Sequence, residues 1–171
     1  MPERLGARRT WGLATQLYSV RSQQSWGVGD LTDLVDLAVW SASVYDAGYV
    51  LVNPLHAAAP STPMEPSPYL PTSRRFVNPL YLRVEAIPEF AQLRKRGRVR
   101  RLRDSVRKHA AALDAIDRDT AGAAKRAALK LVFAVPRTAG RELAYAAFCA
   151  REGSALDDFA TPAPGFHFLA D

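Results

Sequence analysis

The chain has 171 residues, 48% of them hydrophobic, and a net charge of +6, the size and make-up of about one soluble globular domain with a core of its own. Cys149 is the only cysteine, which excludes an intrachain disulfide and argues against a secreted disulfide scaffold. No stretch nears the ~20 apolar residues of a membrane span, and the basic start "MPERLGARRT" runs into no long apolar region, so the expectation is a cytoplasmic protein with no membrane partner and no targeting segment.

In chain order, "GLATQLYSV" (12–20) mixes apolar and β-favouring residues and predicts a buried strand. After the loop "RSQQSWGVG", Asp30 is placed to cap a helix whose apolar face is Leu31, Leu34, Leu37, Ala38 and Val44, with Gly48 to end it. Asp33 and Asp36 fall on its polar side, where a solvated carboxylate is expected. "YVLVNPL" (49–55) is almost wholly apolar, as parallel strands covered on both faces are. Strand, helix and strand make a βαβ unit, the building block of a barrel or a doubly wound sheet.

The next stretch, "PMEPSPYLPTSRRFVNPLYL" (63–82), holds five prolines, three Tyr or Phe rings and two adjacent arginines. "NPLYLRVEAI" is read as one more strand, and Pro88 and Gly97 bracket a break. Nine Lys or Arg and one Asp lie between Arg94 and Lys108, so the chain's positive charge resides in this one segment. Leu102 and Val106, four apart, predict the buried stripe of an amphipathic helix with a solvated basic face. That reading is preferred to a nucleic-acid partner, because no nucleic-acid motif accompanies the patch. From Leu102 to Phe133 helix formers dominate, and beyond Pro136 and Gly140, "RELAYAAFCAREG" predicts a further helix with Leu143, Ala147 and Phe148 on one side.

Loops at the carboxyl ends of strands gather the functional groups of α/β folds. The loops after the first two strands should therefore be neighbours, pooling Tyr18, Trp26, His56, Tyr69, Arg74, Arg75, Asn78 and Tyr81. Flat rings beside fixed polar groups suit sugars, whose apolar C–H faces are edged with hydroxyls. Prolines 63, 66, 68, 71 and 79 would stiffen such a platform and lower the ordering entropy on binding. Composition alone allows the other reading equally: an irregular loop whose aromatics plug the end of a barrel.

"QLYSVRSQQSWGVGDLTDL", "NPLHA" and "SPYLPTSRRFVNPLYL" closely resemble, in order and spacing, the start of the catalytic domain of the 4-alpha-glucanotransferases known as amylomaltases or disproportionating enzymes. "AAKRAALKLVF" and "REGSALDDFA" are similar to that family's helical subdomain, so the resemblance covers residues 11–160. It implies an α/β fold in which the first strands of a TIM (β/α)8 barrel are followed by a helical subdomain. The corresponding division is an N-terminal extension (1–10), the barrel start (11–88), the helical subdomain (89–160) and an atypical tail (161–171).

The family transfers α-1,4-glucan segments between maltooligosaccharides by a retaining mechanism, without metal or organic cofactor. The resemblance implies that Tyr69 stacks on the donor glucose beside the scissile bond. Ser67, Pro68 and Asn78 belong to the same motif, and Trp26, Asp30 and His56 are further candidate glucan contacts. For Asp30 a helix cap, for Trp26 packing and for His56 a buried, hydrogen-bonded role are the plainer alternatives.

The family's nucleophilic Asp, acid/base Glu and second Asp lie on later barrel strands, so no catalytic residue is assigned here, and Asp33, Asp36, Asp46, Glu85 and Glu89 do not match them. After "LDDFAT" the sequence "PAPGFHFLAD" stops a helix, and the expectation is a truncated, inactive chain with exposed strand edges. The alternatives are a non-catalytic glucan-binding fragment and a basic nucleic-acid-binding protein.

Overall fold

A computed structural model describes residues 9–59 and 61–160. The extension, save its last two residues, and the atypical tail lie outside the described residues. Strand β1 (Gly12–Thr15) pairs in parallel with β2 (Tyr49–Val52), in register from Gly12 opposite Tyr49 to Thr15 opposite Val52. Helix α1 (Leu31–Tyr45) makes the crossover between them. The predicted βαβ unit is present with shorter strands. Beyond Thr15 the chain turns into a 3-10 helix at Leu17–Ser19 rather than continuing as strand.

Asp30 caps α1 as its position predicts, accepting the N–H of Thr32 and of Asp33. Asp33 in turn accepts the Asp30 N–H, closing a capping box in which both carboxylates satisfy orphan donors. The helix ends at Tyr45, three residues before Gly48, and Asp46 itself takes the left-handed conformation at φ 54°. One side of β2 and the outer side of α1 are open. Leu51 and Tyr49 are exposed on β2, and Val35, Val39, Trp40 and Val44 are exposed on α1, so β2 is not covered on both sides as its composition predicts.

A second, antiparallel pair joins β3 (His56–Ala57) to β4 (Ser73–Val77), closing the ends of the proline-rich loop on each other. The strand expected at 78–87 does not form. Asn78 accepts the Leu80 N–H and caps a 3-10 turn at Pro79–Tyr81, a second turn covers Val84–Ala86, and a third, Pro88–Gln92, begins at Pro88. A proline after a capping Asn favours such turns, and apolar alternation alone did not reveal it.

The helical half contains α2 (Arg96–Ala111), α3 (Arg118–Phe133), α4 (Ala139–Glu152) and α5 (Ser154–Ala160). Gly97 lies inside α2 rather than at a break. The run 102–133 divides because Asp117 caps a new helix through the Thr120 N–H. On α2, Val99, Val106 and Ala110 are buried and Leu102 half-buried, while Arg100, Arg101 and Arg107 are exposed and Arg103 is half-buried against Glu85. The core joins Trp26, Val84, Phe90, Leu93 and Val99 to Ala128 and Val132 of α3. In contrast, α4 buries no residue: of the apolar side predicted for it, Leu143 (72% exposed) and Ala147 are exposed, and only Phe148, with Ala144 and Tyr145, lines an open cleft of about 540 Å3 against α3.

Candidate functional site

The loops after β1 and β2 do meet. Asn53, directly after β2, accepts the Leu17 N–H at 2.7 Å and donates to the Tyr81 hydroxyl at 3.1 Å, so one buried amide ties together both loops and the "NPLYL" segment. Burial raises the Tyr81 phenol above its ordinary range and keeps it a neutral partner for that amide. Gly29 explains how closely the "GVGD" loop approaches: a Cβ there would sit 2.0 Å from the Leu17 carbonyl oxygen and 2.1 Å from that of Val20.

Tyr69 stands at the crest of the proline loop, 61% exposed, with its backbone N–H on the Ser67 hydroxyl at 3.3 Å. Ser67 and Pro68 are half-buried beneath it. The sides of the loop are tied by Thr72 N–H to the Ala57 carbonyl and Asn78 N–H to the Leu55 carbonyl, both at 2.9 Å. His56 is half-buried and, with Tyr18, Asn78, Tyr81 and Arg118, borders a cavity of about 20 Å3 under the loop. Arg74 is exposed, whereas Arg75 is engaged by Glu152 at 2.7 Å.

Two expected glucan contacts are elsewhere. Trp26 is fully buried in the core and donates its indole N–H to Glu85 at 3.0 Å. Asp30 is likewise fully buried, capping α1 and bound by Arg83. Neither side chain has surface to offer a sugar, so both hold the site's floor instead of lining it. Asp33, expected on the solvated side of α1, is also buried: it accepts from Ser25 at 2.7 Å and from Arg83 at 2.8 Å. Burial alone would raise its carboxyl, but hydrogen bonds from Ser22, Ser25 and the Asp30 backbone, with the Arg83 charge, hold it below the usual range. Asp36 is exposed, as expected.

Three residues that sequence reasoning passed over therefore hold the site: Asn53, Arg83 and Lys125. Lys125 is 1% exposed and donates to the Leu80 carbonyl at 2.6 Å. Burial pushes its amine down to about 8, against the pull of Asp30, Asp33 and Glu85. Among the described residues no group of three His, Cys, Asp or Glu is placed to hold a metal ion, and no helix is long and apolar enough to cross a membrane.

A model of the family described as 4-alpha-glucanotransferase matches residues 15–163. The chain belongs to the 4-alpha-glucanotransferase family. It is 73% identical over 167 residues to the 4-alpha-glucanotransferases of Mycobacterium bovis and Mycobacterium tuberculosis, covering 94% of this chain and 23% of theirs. It is 46% identical over 93 residues to that of Haemophilus influenzae, covering 54% of this chain and 13% of that one. The crystal structure of amylomaltase from Corynebacterium glutamicum superposes with a TM-score of 0.80 at 46% identity, over 89% of this chain and 22% of that one. The chain thus spans about a quarter of the length of these mycobacterial and corynebacterial glucanotransferases, and no closed barrel forms among the described residues.

The buried lysine gives this glucanotransferase segment a measurable pH signature. In the unfolded chain the amine keeps its proton up to about pH 10.5, in the folded chain only up to about pH 8. Between these values the unfolded state binds more protons, so stability rises with pH across that window. In urea titrations the protein should gain about 3 kcal/mol relative to its Lys125→Met variant from pH 8 to pH 10.5. A pH-independent difference between the two would show that the amine is not perturbed.

Proposed function

We propose that this chain forms the donor-side wall and barrel start of a 4-alpha-glucanotransferase, a cytoplasmic enzyme acting on α-1,4-glucans. The observation that carries the reading is the Tyr69 ring, presented to solvent at the crest of a loop held at its backbone by Ser67, β3 and β4, in a chain of this family. An aromatic face fixed this way can stack on the C–H face of the donor glucose and hold its anomeric carbon in line for attack.

The chemistry requires two carboxyl groups about 5 Å apart across the scissile bond. One carboxylate attacks the anomeric carbon while the other, as an acid, protonates the departing glycosidic oxygen. The second group, now a base, then takes the proton of an acceptor 4-hydroxyl as that oxygen displaces the enzyme carboxylate, and the anomeric configuration is retained. In the family that the sequence resembles, these groups lie on later barrel strands. The carboxylates of the site's floor are committed to other work: Asp30 and Asp33 to Arg83 and helix capping, Glu85 to Trp26 and Arg103, and Glu89 to Arg141.

The test uses maltotriose, whose disproportionation releases glucose. The isolated 171-residue chain should release none above a Tyr69→Ala control. Glucose release that depends on Tyr69 would mean that carboxylates within these residues perform the transfer. Activity itself can be examined in a chimera, the Mycobacterium tuberculosis relative with its matching segment replaced by this chain.

A further inference from the structure

Both ends of the Tyr69 loop rest on one face of α3. At the first end, the Met64 N–H donates to Asp119 at 2.8 Å. One turn further on, Gly122 leaves room for the Met64 side chain, whose terminal carbon would lie 2.9 Å from any Cβ at that position. At the other end, the Lys125 ammonium donates to the Leu80 carbonyl at 2.6 Å. Arg118, in the first turn of the helix, lies 4.7 Å over the Tyr18 ring, which borders the same cavity beneath the loop. Positions 118, 122 and 125 recur at helical spacing, and 119 adjoins them.

A core helix needs no ammonium at position 125. Methionine or leucine would fill the space without the cost of desolvating a charge. What the amine adds is direction: it holds a single carbonyl, between Asn78, whose side chain caps the same turn, and Tyr81, which is bonded to Asn53. Tyr69 lies between the two pins, Met64 and Leu80, and is held through its backbone N–H while the residue is 61% exposed. Between the pins the loop is braced by the β3–β4 pairing and by the Thr72 and Asn78 N–H groups, so it moves as a unit and a shift of either pin is carried to Tyr69.

We infer that α3 is the positioning element of the donor loop, with Lys125 and Asp119 as positioning residues that set the angle of Tyr69. This rests on the reading of Tyr69 as the donor-stacking residue. The helical subdomain is then a clamp through which changes in α3 alter donor binding without touching sugar.

The experiment is a double-mutant cycle in the chimera, with maltotriose as donor and glucose release as the readout. Lys125→Met should lower kcat/KM about tenfold, because displacements well under 1 Å at a reacting centre have effects of that order. In the Tyr69→Ala background the same change should alter kcat/KM less than about twofold, since there is no ring left to position. Equal losses in the two backgrounds would overturn the inference and leave Lys125 a purely structural residue. If Lys125→Met does not fold, Asp119→Ala carries the same comparison, as it removes a single acceptor on a half-buried side chain. If Tyr69→Ala alone leaves kcat/KM unchanged, the reading of the site itself fails, and the inference with it.

Discussion

Replacing Arg83 with methionine is expected to destabilise the protein by about 3–5 kcal/mol, enough to leave little soluble material. Arg83 bridges Asp30 and Asp33, and all three are buried. Removing the guanidinium strands two carboxylates in the interior, each still bound to backbone N–H groups at the start of α1. The penalty comes from uncompensated charge and not from lost packing, because methionine keeps most of the side-chain volume. Adding Asp30→Asn and Asp33→Asn to the variant should therefore recover a substantial part of the loss in urea titrations. A single Arg83→Met variant with an unchanged midpoint would show that the network adds nothing to stability.

Tyr69→Ala in the chimera should lower kcat/KM for maltotriose disproportionation by about a hundredfold with little change in the thermal midpoint. Tyr69 is 61% exposed, so removal of its ring should leave no cavity and the fold should not register it. The donor glucose, by contrast, loses both its stacking partner and its alignment with the attacking carboxylate. Tyr69→Phe should retain most of the activity, since the face and not the hydroxyl makes the proposed contact. A variant with full activity, or one whose loss is matched by lost stability, would refute the stacking role.

The sequence made the βαβ unit legible because its signals are local: Asp30 before an apolar helical face, and apolar runs on either side. The loop junction was also legible, since parallel strands bring their carboxyl ends together whatever their exact lengths. Non-local partnership was hidden. Asp33 has the spacing of a solvated helix carboxylate, and the countercharge that accompanies its burial, Arg83, lies fifty positions away. Trp26 has the composition of a sugar platform, yet Val84, Phe90 and Val99 enclose it. The strand expected at 78–87 failed for a local reason that propensity underrates: Asn78 followed by Pro79 caps a turn before the apolar alternation can act.

The open faces are consistent with the short span of the chain. The outer residues of α1, one side of β2 and the cleft between α3 and α4 are apolar and uncovered, and patches of this kind mark contact surfaces. Such faces would also lower the solubility of the segment by itself.

The most direct measurement is the activity of the chimera, in which this chain replaces the matching segment of the Mycobacterium tuberculosis relative. A folded chimera that releases glucose from maltotriose, while the isolated chain releases none, is the predicted result: the segment supplies a working donor wall to carboxylates carried elsewhere. A chimera that is soluble and folded but releases no glucose would contradict the account, because the site described here would then not be one that supports glucan transfer.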